Sequence, residues 1–88
     1  MLTREQLRMA RAALNWSVRE LASRAGVAAN TVSRYENGSD AYGDTLLKLR
    51  RTLEAAGIIL IDEAREGNDG AGVRLKKSRP KKPRRRQD

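Results

Sequence analysis

The sequence predicts a mainly α-helical fold, in which four short helices are followed by a short C-terminal β-hairpin and a basic tail. Two hydroxyl residues are each followed three positions later by Gln or Glu, a pattern that marks helix starts. Apolar residues recur at helical spacing up to Gly57, where a continuous apolar run replaces the helical period. We therefore expect a helical domain over residues 1–57, a hairpin over 58–76 and a disordered tail over 77–88.

The first two helices are placed by their capping boxes, in which a hydroxyl and a later side chain satisfy unpaired backbone amides reciprocally. The two boxes are Thr3 with Gln6, and Ser17 with Glu20. They predict helix 1 at about Arg4–Asn15 and helix 2 at about Val18–Ala25. Gly26 then supplies the tight turn to the next helix.

The next two helices are bounded by turn residues. Helix 3 is expected at about Ala29–Asn37 and stops at Gly38. Asp44 or Thr45 is expected to cap helix 4, which ends at Gly57. The core is formed where helix 4 closes over the other helices. Its expected members are Leu46, Leu49, Leu53 and Ala56, packed against Leu7, Leu14, Trp16, Leu21 and Val32.

The hairpin is predicted from two short segments separated by a Gly-rich stretch, Ile58–Ile61 and Val73–Lys76. A strand that is apolar on both faces must pack against another element on each face, and four small helices can pack against only one face. We expect another subunit to supply the second cover, with Ile58, Ile59, Leu60 and Ile61 as the dimerisation residues. The alternative is that this run packs under its own loop.

The composition argues against most enzyme and membrane classes. The chain has no Cys and no His, so disulfides, the usual zinc ligands and the usual general base are missing. Its 11 carboxylates are scattered beside Lys and Arg, as on a solvated surface, and we expect no enzyme activity, cofactor or metal. No apolar run approaches the roughly 20 residues of a membrane span. The N-terminus lacks a signal-peptide core, which predicts a cytoplasmic protein with no membrane partner.

Helix 3 has two unlike sides when its residues are placed about 100° apart. Ala28, Val32 and Tyr35 fall on one side, which suits the core. The opposite side holds Ala29, Asn30, Ser33, Arg34 and Asn37. One side of the helix is therefore anchored, and the other is available to enter a DNA groove.

Segment 17–38 resembles the helix-turn-helix of the phage repressor/Cro family, the XRE-type regulators. The resemblance is carried by Glu20-Leu21-Ala22, Gly26-Val27, Thr31-Val32-Ser33 and Glu36-Asn37-Gly38, with Leu7, Ala10 and Arg11 upstream. It covers roughly Leu2 to Gly57, and many positions agree at once. It implies a repressor-like four-helix DNA-binding domain. The alternative is a small helical bundle whose polar stripe is simply solvated.

The resemblance implies roles for particular residues. The expected base contacts are Ala29, Asn30, Ser33 and Arg34, because Arg can bond guanine, Asn can bond adenine and an Ala methyl can touch a thymine methyl. The expected phosphate contacts in the helices are Ser17, Arg19, Asn37 and Gly38, near a helix N-terminus or in the turn after helix 3. Arg11 and Glu36 match the family's internal ion pair between helices 1 and 3.

Three positions depart from the family pattern. Val18 replaces a Gln that touches DNA, and we expect it to join the core. Ala28 replaces the usual hydroxyl cap of the recognition helix, at a cost of about 1 kcal/mol to that helix. The loop after helix 3 carries Asp40 and Asp44, which repel phosphates.

The C-terminal tail concentrates the charge of the chain. Residues 76–88 hold eight cations and one Asp, a net charge of +7, whereas residues 1–75 hold eleven cations and ten carboxylates, a net +1. Two prolines and self-repelling charge predict disorder. Beside a DNA-reading domain we favour phosphate binding through counterion release over a solvated tail or a nuclear-import signal. The expected contacts are Lys76, Lys77, Arg79, Lys81, Lys82, Arg84, Arg85 and Arg86.

The sequence thus predicts a nucleoid-associated transcriptional regulator of double-stranded DNA, a repressor or autoregulator. We expect it to bind an inverted repeat as a homodimer, since two-fold pairing squares the discrimination of one module. An antitoxin, with a similar DNA-binding domain and a toxin as protein partner of its C-terminal segment, is the alternative. A nucleoid-type binder dominated by its tail is a third possibility.

Overall fold

The fold consists of four helices followed by a two-stranded hairpin, in a computed structural model that describes residues 2–62 and 70–77. The elements in chain order are α1 (Arg4–Leu14), α2 (Val18–Ala25), α3 (Ala29–Glu36), α4 (Gly43–Ala55), β1 (Ile58–Ile61) and β2 (Gly72–Leu75). The predicted mainly α-helical fold with a C-terminal hairpin is confirmed. The predicted disorder of the tail from residue 78 onward lies outside the described residues.

The two capping boxes are formed to different extents. At α1 the Thr3 hydroxyl accepts from the Gln6 amide, and the Gln6 side chain accepts from the Thr3 amide, each at 3.0 Å. At α2 the Ser17 hydroxyl accepts from the Glu20 amide at 3.0 Å. The Glu20 carboxylate, however, accepts from Arg24 Nε at 2.6 Å. The second box is therefore half formed, because an ion pair one turn along the helix engages the Glu20 side chain.

The prediction that Asp44 or Thr45 caps α4 is wrong. The cap residue is Tyr42, whose backbone is extended and whose side chain makes no capping bond. The Tyr42 carbonyl accepts from the Leu46 amide at 3.1 Å, so that Leu46 is buried one turn into the helix. Asp44 lies inside the first turn, where its negative charge is favourable to the helix dipole. Burial of the apolar stripe therefore outweighs local cap preference here.

The bounds of α2 and β1 match the prediction, whereas the ends of α1 and α3 and both ends of β2 differ from it by one residue. Asn15 and Asn37 are the caps after α1 and α3 rather than their last helical residues, and Asn15 adopts the left-handed conformation with φ 59°. The strand β2 begins at Gly72 and ends before Lys76. The Lys76 amide still donates to the Gly57 carbonyl at 2.8 Å. The hairpin contact thus extends one residue beyond the assigned strand.

The core lies between the helices and the inner face of the hairpin. Its buried apolar residues are Leu2, Leu7, Ala10, Leu21, Ala22, Val32, Tyr35, Leu46, Leu49, Leu53 and Ile58. Leu14, Trp16 and Val18 are half-buried against it, so that Trp16 is a marginal rather than a central core residue. Leu46, Leu49 and Leu53 of α4 are buried in this core as predicted, whereas Ala56 is half-buried. The N-terminal Leu2 is an addition that periodicity does not indicate.

The hairpin is antiparallel and pairs Ile58 with Leu75 at one end and Ile61 with Gly72 at the other. Ile58 is 1% exposed, whereas Ile59 and Ile61 are each 38% exposed. The helices therefore cover one face of β1. The connecting residues 63–69 lie outside the described residues, so the expectation that another subunit covers the second face stays a prediction.

Candidate nucleic-acid interface

The turn between α2 and α3 fixes the angle between these two helices. Gly26 adopts the left-handed conformation with φ 75°, where a side chain is strained. The amides of Gly26 and Val27 both donate to the Ala22 carbonyl, at 2.9 and 3.0 Å. These bonds close the end of α2, and three residues, 26–28, connect it to α3. The helix α3 is thereby held across α2.

The two sides of α3 differ as the sequence indicates. Val32 is fully buried and Tyr35 is 8% exposed on the core side. Among the expected base contacts, Asn30 and Arg34 are exposed, while Ser33 is half-buried and Ala29 packs in part against the core. The exposed side chains among the expected base contacts thus carry one amide and one guanidinium, four residues apart.

A shallow groove of about 470 Å³ lies beside Arg34, between α3 and the start of α4. Its lining residues are Thr31, Arg34, Asp40, Ala41, Tyr42 and Thr45. Asp40 places a carboxylate in the same groove as the Arg34 guanidinium. The Asp40 carboxylate repels phosphate from this side of the groove. Arg34 is the one cation among the described lining residues.

The residues expected to hold phosphates lie in two places. Ser17 and Arg19 are exposed at the start of α2, and Asn37 and Gly38 are exposed in the turn after α3. The Ser17 hydroxyl accepts the Glu20 amide, so that its own proton is the group it can offer to a phosphate. At the end of β2, Lys76 and Lys77 are exposed. The remaining predicted contacts, from Arg79 to Arg86, lie outside the described residues.

Arg11 and Glu36 meet in a two-pronged ion pair between α1 and α3. Arg11 Nε donates to Glu36 Oε2 at 2.7 Å, and Nη2 donates to Oε1 at 2.8 Å. A third nitrogen, Nη1, donates to the Trp16 carbonyl at 3.0 Å. Hydrogen bonding to the Glu36 carboxylate raises the pKa of Arg11, against the opposing effect of burial. The pair joins the first helix to the last residue of α3.

Three side chains of α1 support this site through long-range contacts that the sequence did not predict. Arg4 and Arg8 donate to backbone carbonyls at the end of α3. Gln6 is 1% exposed, and its amide nitrogen donates to the carbonyls of Ile61 at 2.9 Å and Gly72 at 3.1 Å. These contacts join residues 28 to 66 positions apart, for which no local spacing gives a signal.

The part of the chain that the structure describes has neither a cluster of metal ligands nor a membrane-spanning helix. Residues 2–62 and 70–77 contain no group of three or more carboxylates able to hold a metal ion. Among the same residues, every helix is too short or too polar to cross a bilayer.

The comparisons identify the kind of domain to which this geometry belongs. The sequence model of the helix-turn-helix family matches residues 7–55, which is more than half of the chain. The matched range runs from the second turn of α1 to the last residue of α4 and contains α2, the Gly26 turn and α3. The hairpin and residues 2–6 lie outside it. A search among curated proteins gives no match.

Proposed function

Because the chain belongs to the XRE-type helix-turn-helix family of DNA-binding transcriptional regulators, we propose that it is a sequence-specific repressor or autoregulator. In this proposal α3 enters the major groove, and a homodimer binds an inverted repeat. The phosphate contacts at the start of α2 and after α3 set the register but do not read sequence. Sequence is read by the side chains on the outer side of α3.

The observation that carries the proposal is the exposure of Asn30 and Arg34 on the side of α3 opposite the buried Val32 and Tyr35. Residues four apart lie one above the other on a helix surface. Asn30 can bond the N6 and N7 edge of adenine, and Arg34 can bond O6 and N7 of guanine. Each good two-pronged contact discriminates against a wrong base by about 1–3 kcal/mol.

Selection of bound duplexes from random DNA, followed by titration of the preferred and a scrambled duplex, tests this readout. We expect Arg34→Ala to cost about 1–3 kcal/mol on the preferred duplex and far less on the scrambled one. Arg19→Ala is the matched control, because it removes the same charge from a predicted phosphate contact. It is expected to weaken both duplexes alike and to reduce the salt slope by about 0.9. Equal losses for Arg34→Ala on both duplexes would contradict the assignment.

The homodimer is proposed from the face of β1 that residues 2–62 and 70–77 leave exposed. Ile59 and Ile61 are each 38% exposed there, and a second copy of the chain would bury them. Leu47 on α4, at 43% exposed, offers the alternative interface. Ile59→Glu places a charge on the hairpin face opposite Arg74, with which it can pair, so that the protomer itself is not penalised.

Sedimentation of Ile59→Glu and of the control Leu47→Glu distinguishes the two interfaces. We expect Ile59→Glu to give a monomer with weak operator binding, and Leu47→Glu to remain a dimer. The reverse result would move the interface to α4. A parent chain that sediments as a monomer would contradict the homodimer and favour the antitoxin alternative, in which the hairpin face binds another protein.

A further inference from the structure

Two arginines of α1 lie against the carbonyl end of α3. Arg4 Nε donates to the Tyr35 carbonyl at 3.0 Å, and Arg4 Nη2 donates to the Ser39 carbonyl at 3.4 Å. One turn further along α1, Arg8 Nη1 donates to the Glu36 carbonyl. Each of these carbonyls belongs to the last residues of α3 or to the turn that follows. We call the two side chains the arginine cap of α3.

The cap lies where a short helix most needs partners. The last four carbonyls of a helix carry partial negative charge, so that cations are favourable there. In α3 the Tyr35 carbonyl also accepts from the Gly38 amide at 3.1 Å, and Arg4 is an additional donor to it. The helix α3 has eight residues, and its N-cap Ala28 makes no side-chain bond to the first amides. A helix of this length is not stable alone, and its orientation depends on tertiary contacts. The arginine cap supplies such contacts at the end where the helix joins the DNA-facing turn.

The arginine cap also contacts α3 through the side chain of Tyr35. The Arg4 guanidinium lies 5.0 Å from the centre of the Tyr35 ring, and the Tyr35 hydroxyl donates to the Leu2 carbonyl at 2.7 Å. Leu2 is itself 1% exposed in the core. The side chain of Tyr35 is thereby fixed at its ring face and at its tip. Leu2 and Arg4 lie outside the range matched by the family model.

We propose that Arg4 and Arg8 are positioning residues for sequence readout. They fix the carbonyl end of α3, and hence the angle at which Arg34 approaches a base, without contacting DNA themselves. Arg34 directly precedes Tyr35, whose carbonyl Arg4 holds, so movement of this helix end displaces the Arg34 side chain. The inference rests on the proposed function, because it requires that α3 reads sequence.

A direct phosphate contact is the rival role for an arginine on this surface, and salt dependence separates the two. A phosphate ligand contributes to binding of any duplex, and its loss lowers the slope of log affinity against log salt by about 0.9. A positioning residue contributes only where alignment with particular bases matters. Its loss lowers affinity for the preferred duplex and leaves the salt slope unchanged.

The test compares Arg4→Met and Arg8→Met with Arg51→Met in the full chain. Arg51 is an exposed arginine on α4 that makes no hydrogen bond or ion pair with the described side chains, so its replacement matches the change in charge. Affinities for the selected duplex and a scrambled duplex are measured over a range of salt. Thermal unfolding fixes an assay temperature at which every variant is folded.

We expect Arg4→Met to lower affinity for the selected duplex on the order of tenfold, the effect of losing charged hydrogen bonds. The scrambled duplex is expected to change no more than with Arg51→Met, and Arg4→Lys is expected to recover part of the loss. Equal losses of affinity on both duplexes, with a lower slope of log affinity against log salt, would identify these arginines as phosphate ligands and overturn the inference. The inference would also be overturned if Arg4→Met discriminated between the two duplexes as well as Arg51→Met does. A parent chain that itself does not discriminate would overturn the proposed function instead.

Discussion

Replacement of Arg11 by Met tests the most buried of the ion pairs between the described residues. The Glu36 side chain is 7% exposed and that of Arg11 is 21% exposed, so the variant leaves a buried carboxylate with no cation. It also leaves the Trp16 carbonyl without the Arg11 donor. Met preserves most of the aliphatic packing of the arginine stem. The loss therefore reports the stranded charge rather than a cavity.

The expected size of the effect follows from burial. Breaking one partner of a buried ion pair costs about 3–5 kcal/mol, and the partial exposure of Arg11 favours the lower figure of about 3 kcal/mol. One kcal/mol shifts the unfolding temperature of a domain of this size by about 4–8 °C. We therefore expect Arg11→Met to unfold about 12–24 °C below the parent. DNA binding is lost as a consequence at temperatures where the variant is unfolded.

Thermal unfolding followed by circular dichroism, with chemical denaturation at a fixed temperature, measures this difference. The double variant Arg11→Met/Glu36→Leu removes both charges and is expected to return to within about 1 kcal/mol of the parent, since apolar pairs replace buried ion pairs well. A single variant as stable as the parent would refute the reasoning. If that stable variant also failed to bind DNA, Arg11 would be a direct phosphate ligand.

The pH dependence of this contribution has a definite sign. Pairing with Glu36 raises the pKa of Arg11 in the folded state. The stability gained is fully present below the unfolded-state pKa and is lost only as the pH rises through the higher folded-state pKa. The gap between Arg11→Met and the parent is therefore expected to be the same at about pH 8 and about pH 9.5, at both of which Arg11 stays protonated. A gap that closes between these values would assign the effect to another titrating group.

Two further predictions concern the ends of α3 and of the chain. Ala28→Ser supplies the missing cap of α3 and is expected to stabilise the protein by about 1 kcal/mol in chemical denaturation, with Ala28→Gly as a control that lacks the hydroxyl; equal stability of the two variants would contradict it. Deletion after Lys77 removes six cations while keeping the bond from the Lys76 amide to Gly57. It is expected to weaken binding to all duplexes and to lower the salt slope by about 0.9 per lost phosphate contact, without changing the selected sequence. An unchanged slope would show that the tail does not contact DNA.

Sequence reasoning succeeded where the determinants of structure are local. The capping box at Thr3 and Gln6 places the start of α1, and Gly26 places the turn before α3, because both act through bonds between residues three or four apart. The two sides of α3 follow from periodicity alone. At α4, by contrast, the good cap residues Asp44 and Thr45 are not used. The helix is capped at Tyr42 instead, and Leu46 is buried.

The supports of the site could not be predicted in the same way. The Gln6 side-chain oxygen accepts from the Thr3 amide in the cap of α1, and its nitrogen donates to the Ile61 carbonyl in the hairpin. Only the first bond can be predicted from residue spacing. The contacts of Arg4 and Arg8 depend on how α1 crosses the end of α3, a geometry set by the whole core. The ion pair of Arg11 and Glu36 was expected because of the family resemblance, not because of spacing.

The two exposed side chains on the outer side of α3, Asn30 and Arg34, are separate from the side-chain contacts that hold the domain together. Within residues 2–62 and 70–77, the side chains of Asn30 and Arg34 make no hydrogen bond or ion pair, and both are exposed. Surface changes away from such features usually alter stability by no more than about 0.5 kcal/mol. These two positions can therefore be exchanged for other residues with little effect on folding. The target sequence of such a domain can diverge, or be redesigned, while its scaffold stays the same.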